Sequence, residues 1–332
     1  MKLRLTLISL SLIVTLLLME VICRIIPFSN DSNPVYKLAH SILPYTMKPN
    51  SESTSLLGIP VKINSHGLRD FEYSYNKPED IFRILVLGDS IEFAYGEKME
   101  NGYTKILERR LNALENKKYQ AIEVINSGHT SFGLPDTFNF LRLKGIKYSP
   151  DLIMVGLSSS NFTEESYELI IKDGIDYRVG SITENFPPWM KRNLRKSHLY
   201  FAIGWWTRAF RISLNEQPAP LESTLKKNEA GESRNSYLDK LVLFASREKI
   251  PVYATFIPER EETILQEYTN TEVFQQINDL QTSKKIEFVD LRENFHKFSN
   301  STDEIFLNRD PSHLNSKGHE ITADQLFYKL AP

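Results

Sequence analysis

The run Phe82-Arg83-Ile84-Leu85-Val86-Leu87-Gly88 is the feature that most restricts the fold. A short, nearly continuous apolar segment closed by glycine predicts a strand buried on both faces, as in parallel sheets covered by helices on each side. The downstream sequence repeats the theme. Helices are expected over residues 103–114, where Ile106, Leu107, Leu111 and Leu114 share one side, and around 136–144, 236–247 and 316–330. Strands are expected over 121–125, 151–156, 251–257 and 286–291. Strands alternating with helices predict a three-layer α/β/α sandwich on a mostly parallel sheet.

The 332 residues, 41% hydrophobic and 25% charged, suffice for one sizeable core and a small accessory subdomain. A formal net charge of -2 shows no basic excess, so nucleic acid is not an expected partner. The single cysteine, Cys23, lies in the N-terminal apolar stretch, so the body has no disulfide or thiolate metal site.

Residues 1–27 differ from the rest. Lys2 and Arg4 precede an apolar run from Leu5, which Glu20 interrupts, Cys23 ends and Arg24 closes. About 20 such residues can cross a bilayer as a helix. A cleaved signal is the alternative, but no A-x-A-like site follows, and Glu20 stands where a lipobox before Cys23 needs a small or aliphatic residue. The expectation is an uncleaved anchor spanning the membrane through residues 5–23. Glu20 and Arg24 are spaced to pair, which lessens the cost of burying the carboxylate. The N-terminal positive charges place the body outside the cytoplasm.

Residues 28–80, rich in Pro, Asn, Ser and Gly, are expected to be a tether and irregular elaboration, with 61–64 as a short edge strand and Ser65-His66-Gly67 as a turn. The α/β body is expected over 81–332, with an insertion at 163–235. That insertion holds Trp189, Trp205 and Trp206, a basic stretch at 191–196 and a polar run at 215–235. It suits a lid or substrate wall at the carboxyl ends of the strands. The alternative is a surface helical hairpin with the tryptophans as its core.

Four polar clusters stand where such a sheet gathers its loops. Gly88-Asp89-Ser90 follows the first strand, and Ser90 is a candidate nucleophile that needs a base. Alone it reads equally as a helix N-cap. Asp310-Pro311-Ser312-His313 sets a carboxylate one turn before an imidazole, so that Asp310 can orient His313 and His313 can accept the serine proton. Alone it reads as a capping Asp beside an exposed His. Asn126-Ser127-Gly128 and Ser160-Asn161 follow two further strands, where a backbone N–H and an Asn amide can stabilise an oxyanion, or serve ordinary turns. H-E-x-x-H, the P-loop pattern and G-x-G-x-x-G are all absent, and His66, His129 and His319 are too scattered to suggest a metal.

The order Gly-Asp-Ser, Gly, Asn, Asp-x-x-His resembles the SGNH/GDSL hydrolase superfamily over roughly residues 60–330. Asn64-Ser65-His66-Gly67-Leu68-Arg69, and His313-Leu314-Asn315 with Gly318-His319, are similar to bacterial members with an N-terminal anchor. The resemblance implies a flavodoxin-like sandwich after one transmembrane helix. It also implies a Ser90–His313–Asp310 triad, and an oxyanion hole from Ser90, Gly128 and Asn161. No cofactor or metal is implied. Two departures stand out. The third block reads Ser160-Asn161-Phe162 where Gly-Asn-Asp is usual, which removes a carboxylate supporting Asn161. Glu92 replaces the last Gly of a G-x-S-x-G elbow, which fits the SGNH pattern and not an ordinary α/β-hydrolase.

The expected activity is ester hydrolysis through an acyl-enzyme, removing an acyl group such as acetyl from an envelope glycan or lipid. An O-acyltransferase using the same residues and an inactive glycan-binding domain are the alternatives. The expected place is membrane-anchored, with the catalytic domain periplasmic or extracellular.

Overall fold

The computed structural model describes residues 2–25, 37–54, 59–115, 118–162, 169–172, 175–178, 183–194, 196–200, 202–203, 236–265, 271–283, 285–308 and 310–331. The chain begins with helix α1 (Lys2–Ile25), then two antiparallel pairs, β1 (Lys37–Leu38) with β2 (Thr46–Met47) and β3 (Ser51–Thr54) with β4 (Pro60–Ile63). The main body runs β5 (Ile81–Leu87), α2 (Tyr103–Asn112), β6 (Ala121–Asn126), α3 (Leu134–Leu143), β7 (Leu152–Leu157) and α4 (Ser159–Phe162). Next come the hairpin β8 (Leu169–Lys172) and β9 (Ile175–Arg178), α5 (Pro188–Leu194), α6 (Ser236–Arg247) and β10 (Val252–Phe256). The chain closes with α7 (Arg260–Leu265), α8 (Thr271–Thr282), β11 (Glu287–Asp290), α9 (Arg292–His296) and α10 (Ser316–Leu330).

Five strands form one parallel sheet in the order β11-β10-β7-β5-β6. Its register sets Leu85 beside both Ile125 and Ile153. Because successive side chains of a strand point to opposite faces, Ile84 and Val86 enter one core and Leu85 and Leu87 the other. Tyr103 and Leu107 of α2, Phe295 of α9 and Leu326 of α10 complete the first core. Phe140 and Leu141 of α3, Leu238 and Leu241 of α6 and Ile277 of α8 complete the second. The expected three-layer α/β/α architecture is the one observed.

The direction of the sheet reverses at β5: the chain adds β6 on one side, then returns to add β7 on the other. Loops leaving β5 and β7 diverge there, and the crevice between them is where open α/β sheets bind ligands.

Of the segment expected as a tether and irregular elaboration, residues 28–36 lie outside the described residues. From Lys37 on, Leu43, Tyr45, Met47, Val61, Ile63 and Leu68 are buried in the second core. Its apolar residues are spaced by turns instead of a regular period, so they resemble a linker in sequence while serving as core. Within the insertion, Trp189 is 66% exposed and so is not a core residue. Trp205 and Trp206 lie outside the described residues.

Two histidines are built into the interior. His129 Nδ1 lies 2.8 Å from the Ser127 carbonyl and stacks on Phe132, while His319 Nδ1 accepts the Tyr103 N–H at 3.4 Å. Burial lowers both to about 3 from the usual 6.5. The unfolded chain therefore takes up protons below pH 6.5 that the native state refuses, and stability attributable to them falls as pH drops from 6.5 toward 3. The carboxyls of Asp70, raised to about 6, and Glu92, raised to about 8, act in the opposite sense. The difference between wild type and His319→Gln isolates the histidine. In urea unfolding the wild type is expected to lose about 1.4 kcal/mol per pH unit relative to the variant below pH 6. Parallel profiles would mean that His319 titrates normally.

Candidate active site

Ser90 occupies a tight turn directly after β5. Phe93 N–H donates to Asp89 O (3.1 Å), Ala94 N–H to Ile91 O (2.9 Å) and Tyr95 N–H to Ser90 O (3.0 Å). Ala94 and Gly96 then take positive φ values of 55° and 78°, which reverse the chain. Arg69 holds the turn from below. Its side chain is fully buried, and Nη1 donates to Phe93 O (2.8 Å) and Ala94 O (2.7 Å) and Nη2 to Glu97 O (2.7 Å). Ala94 O also accepts the Glu97 N–H (3.1 Å), and the guanidinium adds a second donor there and ties three successive parts of the turn together.

The second half of the site is the loop before α10. Asn315 caps that helix, its Oδ1 accepting from the N–H groups of Lys317 and Gly318. Asp310 Oδ1 accepts the backbone N–H groups of Ser312 (2.9 Å) and His313 (2.7 Å). Both carboxyl oxygens lie 2.9 Å from His313 Nδ1, and His313 Nε2 lies 2.9 Å from Ser90 Oγ. Burial alone would raise the Asp310 carboxyl; the charge of His313 and the N–H donors outweigh it and bring the group down to about 2. An ionised Asp310 assigns the proton to Nδ1, which leaves Nε2 as acceptor for the serine hydroxyl.

Two further residues support this loop. Arg260 N–H donates to Pro311 O (2.8 Å), while its guanidinium donates to Asp310 O and Leu307 O, both at 2.7 Å. The ring of Tyr95 packs on the imidazole of His313, with centroids 4.1 Å apart.

On the other side of Ser90, α4 follows β7 and carries Asn161. Its Oδ1 accepts the Ser158 N–H (2.6 Å), and its Nδ2 donates to Asp89 Oδ2 (2.8 Å). An Asn amide has two N–H donors, so one remains for a ligand. Asp89 thus supplies a carboxylate to Asn161, the support that the Asn161-Phe162 sequence lacks locally. Ser159 Oγ donates to Glu262 Oε1, and Ser160 N–H to Glu259 Oε1 (3.2 Å), which ties α4 to α7. Burial first, then the charge of Glu262, raises the Glu259 carboxyl to about 7.

Gly128 packs directly under the Ser90 turn, where an added Cβ would overlap Phe93 N and Glu92 C. Its N–H donates to Asn126 Oδ1 at 2.9 Å. A backbone amide has one proton, so in this arrangement Gly128 has none left for an oxyanion. The structure brings Ser90, Asn161, Asp310 and His313 together as donors and acceptors, and Gly128 as a close-packed floor.

Glu92 had no role assigned from sequence beyond a missing glycine. Its carboxyl is buried over the ends of β5 and β7, where a Cβ at Gly88 or Gly156 would overlap it. It accepts from Asp89 N–H (2.8 Å) and Tyr103 Oη (2.9 Å). Burial first, then the Asp89 charge, raises it to about 8. Two glycines at strand ends flanking the candidate serine were the available sequence signal. His66, His129 and His319 rest against different aromatic residues, Tyr75, Phe132 and Tyr103, and do not converge. A recess of about 400 Å³ between α2 and α10, lined by Ile106, Arg109 and Glu320, shares no residue with this site.

No protein-family model matches the chain, and no curated protein does. Among solved structures, the acetyl xylan esterase AlAXEase matches with 13% identity and a TM-score of 0.45, over 75% of this chain and 100% of that one. Axe2, an acetylxylan esterase from Geobacillus stearothermophilus, matches with 14% identity and a TM-score of 0.47, over 76% and 94%. A lipase/acylhydrolase from Enterococcus faecalis matches with 14% identity and a TM-score of 0.44, over 75% and 95%. Likenesses this distant concern the path of the backbone, and the chemistry rests on the site itself.

Proposed function

We propose that this chain is a serine ester hydrolase of the SGNH/GDSL type, with Ser90 as nucleophile, His313 as general base and acid, and Asp310 orienting His313. The observation that carries this reading is the continuous hydrogen-bond chain from Ser90 Oγ through His313 to Asp310. Ser90 Oγ attacks the acyl carbonyl carbon while its proton passes to His313 Nε2. The oxyanion rests on the free N–H of Asn161 Nδ2 and the Ser90 backbone N–H. Collapse expels the alcohol, which takes the proton from Nε2, and water activated by His313 then releases the acid. Gly128 joins the oxyanion hole if substrate binding turns its amide away from Asn126.

α1 is long and apolar enough to cross a membrane: residues Thr6–Ile25 have a mean hydropathy of 2.4. We read it as an uncleaved anchor that holds the catalytic domain on the extracytoplasmic side. An acyl ester of an envelope glycan or lipid is then the substrate class within reach.

The test uses the full chain with a fluorophosphonate probe and aryl esters of graded acyl length, beside a Ser90→Ala control. Ser90-dependent labelling and ester turnover support the reading; a folded protein that neither labels nor turns over an ester overturns it. Addition of a sugar acceptor separates hydrolysis from acyl transfer by the product formed. Asn161→Ala is expected to lower kcat by about 10²–10³ with little change in KM, because its donor strengthens only as the oxyanion forms. A pure KM effect would place Asn161 in ground-state binding instead.

A further inference from the structure

One contact uses none of the residues of the Ser90 site. Glu20 is the acid that interrupts the apolar face of α1, and in the structure Arg24 is only one of its partners. Arg24 Nε donates to Oε1 at 3.1 Å. Ser197 Oγ (2.7 Å), His198 N–H (3.1 Å) and Leu199 N–H (2.9 Å) donate to the same carboxylate from the insertion. One turn along α1, Cys23 packs against Leu199 and Ala202, and all three are buried. The anchor is thus joined to Ser197, His198, Leu199 and Ala202 by a polar clamp and an apolar patch on one helix face.

The depth of this joint follows from helix geometry. Glu20 is five residues before Ile25, so it lies about 7 Å from the end of α1 along the axis. If α1 spans a bilayer, whatever binds Glu20 must enter the headgroup layer or the hydrocarbon just beneath it. The insertion has the surface for that place. Ile203 is 53% exposed and Trp189 66% exposed, and Arg192, Lys196 and Arg24 stand exposed nearby in sequence. Exposed apolar and aromatic groups beside cations suit the boundary between acyl chains and anionic headgroups.

We propose that the described residues within 188–203 (188–194, 196–200 and 202–203) form an interfacial element that is clamped to the anchor through Glu20 and binds an anionic lipid surface. The element holds the catalytic domain against the bilayer, so the acyl ester it acts on is one presented at that surface. This inference rests on reading α1 as a membrane anchor, and the experiment separates the two.

The full chain is reconstituted in vesicles of phosphatidylcholine with or without phosphatidylglycerol. Extraction by alkaline carbonate would refute the anchor itself. For protein that resists extraction, Leu199→Cys and Ala202→Cys are each tested beside native Cys23, with Tyr328→Cys as the distant control. Mild oxidation is expected to form an intrachain disulfide in the first two variants and none in the third. In a Cys23→Ser background, an environment-sensitive dye on Ile203→Cys is expected to be quenched several-fold by brominated lipid, more strongly with phosphatidylglycerol, and the same dye on Tyr328→Cys not at all. Membrane-inserted protein that forms neither cross-link and shows no quenching at Ile203 overturns the proposal while leaving the anchor intact. Cross-linking without quenching overturns its lipid half.

Discussion

Ser90→Ala is expected to lower ester turnover by on the order of 10⁴-fold or more while leaving the fold in place. The side chain is half-buried, and the turn that holds it is built from backbone hydrogen bonds and the Arg69 clamp, none of which uses Oγ. His313→Gln should cause a loss of similar size, because without a base the hydroxyl remains a weak nucleophile. The double variant should be little worse than either single one, since the two groups act in one step and their effects do not add. Asp310→Asn tests the assignment of the imidazole proton. With an amide at 310, the Asn N–H favours a His313 tautomer that presents N–H to Ser90, and kcat should fall by about 10⁴. The measurement is kcat/KM on an aryl ester, with thermal melts to verify folding. Activity of Ser90→Ala within tenfold of wild type would remove Ser90 from the mechanism.

Much of this architecture was legible in the sequence because its signals are strong ones. A strand buried on both faces reads as a continuous apolar run, and 82–88 and 151–156 fell within a residue or so of β5 and β7. The helix expected over 236–247 coincides with α6, whose apolar residues Leu238, Leu241, Val242 and Ala245 follow helical spacing. α8 was missed. Its sequence TEVFQQINDLQT is mostly polar, and Phe274, Ile277 and Leu280 make too sparse a stripe to stand out. The antiparallel pair β1–β2 was invisible because two-residue strands carry no period.

For the candidate site, residue types with intrinsic chemistry stand out in the sequence and the residues that position them do not. Ser90 and Asn161 can be proposed from their places after strands, and Asp310 and His313 from theirs before the final helix. Arg69, Glu92 and Arg260 act through particular carbonyls and amides, which only the folded chain brings near them. Asp89 is intermediate: its place in the block was evident, its bond to Asn161 some seventy residues away was not.

Lys105→Met is expected to be the most destabilising single substitution outside the apolar core, at about 3–5 kcal/mol. Lys105 Nζ is buried among Asp70 Oδ1 (2.7 Å), Glu108 Oε2 (3.0 Å), Tyr73 Oη (2.9 Å) and the Val124 carbonyl (2.6 Å). Asp70 has no exposed side-chain surface, and its Oδ2 accepts the Asn126 N–H at 2.6 Å. Burial already pushes its carboxyl up to about 6, with Lys105 restraining the rise. Without the ammonium, Asp70 must either stay ionised and unpaired or take a proton. In the wild type the folded chain ionises this group only above about pH 6, whereas without the ammonium it stays protonated to higher pH, so the deficit relative to wild type should grow as pH rises from about 6 upward. Denaturant unfolding at pH 5 and pH 8 measures it, with the larger loss at pH 8. Asp70→Asn combined with Lys105→Met removes the stranded charge and should recover part of the loss. The consequence reaches the candidate active site through one residue. Asn126 takes its place from Asp70 and positions both the Gly128 amide and the Glu92 carbonyl. A variant that folds yet carries a displaced Asn126 should therefore lose kcat as well as stability. A loss of about 1 kcal/mol or less, flat with pH, would instead be that of a solvated surface pair and would contradict the burial that the argument rests on.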